Sequence, residues 1–165
     1  MTRSFAVAFF LAWAATVAAG DFRMRRVTNA SVLAGLGAGV VAVAAHVDPF
    51  GTGWRGALSG GLVGLVAVSP FFVLRVMGAA DVKLFAVLGV WCGVSPLAGL
   101  WLAASVLAGV HAVGVLALTR TSVATLRAGG GRTFRVRGFR SAPYGAFLTL
   151  SAAAWLLYRI YEGGR

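Results

Sequence analysis

The stretch Gly78-Ala79-Ala80-Asp81-Val82-Lys83-Leu84, followed by an uncharged run to Ser95-Pro96, decides how this chain is built. The run is apolar enough to enter a membrane. Yet only about 18 Å of helix separates Leu84 from a turn at Pro96, at ~1.5 Å per residue. A hydrocarbon core is ~30 Å thick, so a crossing helix must begin near Gly78. Asp81 and Lys83 then fall inside its first turns. Lys83 has a stem long enough to carry its ammonium to the headgroups, whereas Asp81 is too short to do so. A carboxylate in hydrocarbon costs roughly 2.5–3.5 kcal/mol at the bilayer centre and less near an end, which makes Asp81 a functional candidate on physical grounds alone.

Working outward, the other charges punctuate the chain in the same way. Reading between them places spans at about 4–21, 27–47, 56–74, 78–95, 97–119 and 142–159, with a basic loop over 119–141. Each span lies near the roughly 17–25 residues that a crossing needs. The expectation is one all-α polytopic domain over 1–165 with six transmembrane helices. Composition agrees: 59% of the 165 residues are hydrophobic and 12% charged, about half the charge of a soluble domain. That excludes a soluble globular fold. Cys92 is the only cysteine, which excludes an internal disulfide and a zinc tetrad.

Four acidic residues stand against fifteen Lys and Arg, for a formal net charge of +11. In a polytopic protein such an excess points to cytoplasmic loops and anionic headgroups, not to nucleic acid. Arg23, Arg25, Arg26, Arg75, Lys83, Arg120, Arg127, Arg132, Arg135, Arg137 and Arg140 fall on one side of the membrane. Arg3, Arg55, Arg159 and Arg165 fall on the other. The amino terminus is therefore expected outside. A cleaved signal peptide over 1–19 needs its positive charge ahead of the apolar run, but here one arginine precedes the run and three follow it. Gly35 and Gly39, and Gly56, Gly60 and Gly64, recur at four-residue spacing, the pattern that lets helix backbones approach closely in lipid. Pro70 is expected to kink the third helix.

Asp21 ends the first span and Asp81 opens the fourth. Two crossings separate them, so both lie on one face whichever way the chain inserts. Two carboxylates at one depth can act as a pair: when close, they cannot both ionise cheaply, and one stays protonated. The ionised member takes a proton from water while the protonated one polarises a peptide carbonyl. From the residues alone, two other readings stay open. Each Asp caps a helix or pairs with a nearby Arg, such as Arg23 or Arg25. Alternatively, Asp21, Asp81 and the intramembrane His111 form the proton relay of a transporter.

Three segments narrow the choice. Asp21-Phe-Arg-Met-Arg-Arg-Val-Thr-Asn29 resembles the D-x5-(I/V)-P-N segment of prepilin peptidases. Gly78-Ala-Ala-Asp81-Val-Lys83-Leu84 resembles their G-x-G-D-x-K-L motif, the mark of the GxGD membrane aspartyl proteases. Ala142-Pro143-Tyr144-Gly145, opening the last span, is similar to the family's late P-Y-G segment. The resemblance implies an aspartic endopeptidase of the bacterial inner membrane. It would cut the leader from type IV prepilins or pilin-like precursors at the cytoplasmic face. Asp21 and Asp81 carry over as the catalytic pair, with the water between them as nucleophile and no metal or cofactor. Gly78 would let substrate backbone come close to the catalytic Asp. Asn29, Lys83, Pro143, Tyr144 and Gly145 carry over as support or substrate-binding positions.

The departures are specific. Ala80 stands where the motif has its second glycine, so a methyl sits beside the catalytic Asp. It narrows the substrate groove, slows the enzyme, or marks an inactive pilus-assembly homologue. Thr28 replaces the proline before Asn29. The paired cysteines of the larger bifunctional enzymes are missing, so no methyl transfer is expected, and the chain looks like the short form that accompanies tight-adherence (Flp-type) pili. The basic loop, with Phe134, Phe139 and Gly129-Gly130-Gly131, reads as a positive-inside loop on anionic lipid rather than a nucleic-acid or phosphate site.

Overall fold

The computed structural model describes residues 2–126 and 143–163, and everything regular among them is helix. The elements are α1 (Thr2–Met24), α2 (Asn29–Ala44), α3 (Gly53–Val73), α4 (Ala79–Cys92), α5 (Leu97–Leu126) and α6 (Tyr144–Gly163). Among the described residues, three stretches are long and apolar enough to cross a membrane: Arg3–Met24, Gly53–Val73 and Leu97–Ala117.

Helix ends depart from the spacing of charges for local reasons. α2 has 16 residues, short of the expected 27–47. It starts late because Thr28, in extended backbone, caps it, its Oγ1 accepting from the Ser31 N–H at 3.1 Å. It ends early because His46 turns the chain through a positive φ of 54°. α4 has 14 residues, about 21 Å of helix. Extended Gly78 precedes it and Gly93, at φ 76°, closes it before Pro96. α5 runs past the expected loop boundary at 119 to Leu126. The rest of the basic loop, with Arg127, Arg132, Arg135, Arg137 and Arg140, lies outside the described residues. α6 begins at Tyr144 rather than 142 and continues to Gly163.

α4 is short because it is the centre of the bundle, packed by α2, α3, α5 and α6. Leu84 and Leu88 are fully buried, and Trp91 is almost so. Its partner α3 approaches at backbone distance. A Cβ at Gly60 would collide with the Gly89 carbonyl, and one at Gly64 would lie 2.9 Å from the Phe85 carbonyl oxygen. The glycines of α2 instead seat tryptophans. Gly35 makes room for the Trp13 indole and Gly39 for that of Trp91. The Trp13 and Trp91 Nε1–H groups donate to the Ser31 and Gly35 carbonyls, each at 2.8 Å. Outward, Leu58, Leu62 and Val66 on α3 and Leu102, Val106, Val110 and Val113 on α5 leave apolar faces uncovered. Lipid covers surface of that kind without cost, in keeping with a membrane protein.

Candidate active site

The site is built where α1 ends and α4 and α6 begin. α1 stops at Met24 because Arg25 takes a left-handed φ of 53°, its N–H closing the last turn on the Asp21 carbonyl at 2.9 Å. That leaves Asp21 on the final turn, facing inward and only 7% exposed. Its Oδ2 accepts the Ala146 N–H at 2.9 Å, in a buried contact between the ends of α1 and α6. α6 starts on Pro143, whose carbonyl accepts the Phe147 N–H at 3.2 Å. Gly145 sits between: a Cβ there would lie 3.2 Å from Asp21 Oδ2 and 3.0 Å from Val27 Cγ2.

Asp81 is the third residue of α4, half-buried, its N–H donating to the Gly78 carbonyl at 3.1 Å. A Cβ at Gly78 would approach Asp81 Oδ2 to 3.3 Å, so glycine keeps that carboxylate uncrowded. Asp21 and Asp81 line the same cavity, about 780 Å³ in volume. Arg25, Arg26 and Thr28 form its wall on the α1–α2 turn, Gly78 and Ala80 lie beside Asp81, and Tyr144 lies across from them. Trp101 and Ser105 on α5 and Phe71 at the end of α3 also line the cavity. The Ser105 and Tyr144 hydroxyls are 3.1 Å apart, and the Trp101 and Phe71 rings are 6.0 Å apart.

The structure thus brings Asp21, Gly78, Ala80, Asp81 and Tyr144 to one cavity, with Gly145 and buried Pro143 behind it. Asn29 and Lys83 are placed differently. Lys83 Nζ donates to Asn29 Oδ1 at 3.2 Å, tying α4 to α2 at the mouth of a separate apolar groove between α2, α3 and α4. His111 packs its ring on Phe147, centroids 5.8 Å apart, rather than joining the aspartates. Among the described residues no three His, Cys, Asp or Glu side chains converge as metal ligands would. Sequence reasoning did not single out Trp101 or Ser105, which carry no local signal on an apolar helix. The sequence reading takes Arg26 as topological charge alone and Arg25 also as an ion-pair partner of Asp21; the structure puts both on the cavity wall.

Residues 8–113, well over half the chain, match the type IV leader peptidase family. The chain belongs to that family. The matched segment holds both aspartates, and the Pro143–Gly145 stretch lies beyond it. Neither the curated proteins nor the solved structures hold a significant match to the chain. Family membership gives this leader peptidase homologue a protease function directed at type IV prepilins, and its long apolar helices give it a membrane setting.

Proposed function

We propose that the chain is an aspartic endopeptidase that removes prepilin leaders at the cytoplasmic face of the inner membrane, with Asp21 and Asp81 as its catalytic pair. The observation that carries this reading is the single cavity lined by both carboxylates. A water between them loses its proton to the ionised carboxylate as its oxygen attacks the scissile carbonyl, while the protonated carboxyl donates to the carbonyl oxygen. Tyr144 and Ser105 offer hydroxyls to the substrate backbone, and Gly78 keeps the approach open. Six crossings of one domain, amino terminus outside, put this cavity on the positively charged side. Flp-type prepilins are the proposed substrates, and methyl transfer is not part of the activity.

Co-expression with a Flp-type prepilin, followed by mass spectrometry of the pilin amino terminus, tests the reading. Wild type should release the leader and leave an unmethylated terminus, whereas Asp21→Asn and Asp81→Asn should each leave the precursor whole. Cleavage that survives either substitution would sink the carboxylate pair. The pH–rate profile should be bell-shaped, because one carboxyl must be ionised and the other protonated. A rate that stays flat through acid pH refutes a shared proton.

A further inference from the structure

We propose that the backbone N–H donated by the first turn of α6 fits Asp21 to be the group that takes the proton from water, which leaves Asp81 as the group that protonates the peptide oxygen. The inference rests on the peptidase reading and divides the labour within it. The first N–H groups of a helix have no acceptor inside the helix, and an N-cap side chain commonly satisfies the third of them. At the start of α6 the N-cap is Pro143, which has no such side chain. Ala146 is the third residue of the helix, and its N–H is served instead by Asp21, 125 positions away in sequence, at 2.9 Å. Asp21 is therefore an N-cap supplied by another helix. A buried N–H donor and the positive end of a helix dipole both favour a carboxylate over a carboxylic acid.

Gly145 makes the contact possible. Any Cβ there would press on Asp21 Oδ2, Val27 and Leu84 at 3.0–3.3 Å. Gly145 and the Ala146 N–H are thus positioning groups that act through Asp21. Among the described residues, the other charged or titratable groups lining the cavity are Asp81 on α4, Arg25 and Arg26 on the α1–α2 turn, and Tyr144 on α6.

The chemistry balances over one turnover. Water adds to the carbonyl carbon, its proton passing to Asp21, while the Asp81 proton passes to the carbonyl oxygen. On collapse the C–N bond breaks, the leaving nitrogen takes the proton from Asp21, and a hydroxyl of the tetrahedral intermediate returns one to Asp81. Both side chains end as they began.

Replacing one backbone N–H by oxygen tests this without altering a side chain. An Ala146→lactic acid substitution, introduced by nonsense suppression into the full chain, converts that amide to an ester. Cleavage of a Flp-type prepilin in vesicles is then followed against pH. The expected result is a rate lowered roughly tenfold or more on the acid side, with an unchanged basic limb and unchanged KM. The retained basic limb also shows that the variant is folded. Gly145→Ala, which displaces Asp21 and leaves the N–H in place, should lower the acid limb in the same direction. A basic limb that moves instead would make Asp21 the protonated member and overturn the assignment. Two unmoved limbs would reduce the contact to a structural one. Wild type that cleaves no precursor would instead refute the peptidase reading itself.

Discussion

Trp91 shows what a single side chain does in this fold. It is 1% exposed, donates to the Gly35 carbonyl at 2.8 Å, and packs on Phe10 with ring centroids 5.0 Å apart. A tryptophan in a membrane chain suggests an interfacial belt, but Trp13 and Trp91 are core residues because glycines of α2 face them. Trp91→Phe removes a buried donor and part of a ring, at an expected cost of about 1–3 kcal/mol. Denaturation in one fixed detergent measures it, and an unshifted midpoint would show that the hydrogen bond contributes nothing. At the cavity, Ala80 is the residue whose replacement separates a slow enzyme from an inactive one. Ala80→Gly opens the approach to Asp81 and should raise the cleavage rate. If wild type is inert and this variant cleaves, the alanine is the lesion; equal rates would clear the methyl of any role.

Among elements, the α3–α4 contact has the least tolerance. The repeated glycines predict close helix approach, and the structure places Gly60 on Gly89 and Gly64 on the Phe85 carbonyl. Gly60→Ala drives a methyl into backbone, which cannot rotate aside, and should destabilise by about 1–3 kcal/mol. Gly37, on the open side of α2, meets nothing within 4 Å. Gly37→Ala should be neutral or stabilising by up to ~1 kcal/mol. Unfolding both variants side by side checks the contrast, and equal effects would mean that α3 and α4 are not in backbone contact. The spacing of small residues was legible because it repeats with the helix. Which helix each glycine faces was not, since nothing local distinguishes Gly35 beside an indole from Gly60 beside a carbonyl.

At the scale of the molecule, charge and helix length set the topology. In the proposed six-span topology the basic residues gather on the side where α1 ends and α4 begins, and retention of positive loops in the cytoplasm would orient the chain. A reporter fused after Arg75 should therefore be cytoplasmic and one fused after Arg165 external. The reverse pattern would invert the topology and place the aspartate cavity outside. α2 and α4, at 16 and 14 residues, fall short of the usual crossing length, so the proposed six crossings need the flanking turns to complete those two spans. α4 is surrounded by other helices instead of lipid, so its ends answer to protein neighbours.

Sequence by itself determined the all-helical membrane class, the net charge of +11, and the expectation that Asp21 and Asp81 share one face. Each follows from something local or countable: hydropathy along a window, the signs of charges, the parity of crossings. Tertiary structure alone decided that Asp21 caps α6, that Lys83 and Asn29 tie two helices outside the cavity, and that Ser105 and Trp101 join its wall. These depend on which groups distant in sequence come into contact, and that follows from how the helices pack, with backbone meeting backbone wherever a glycine leaves room.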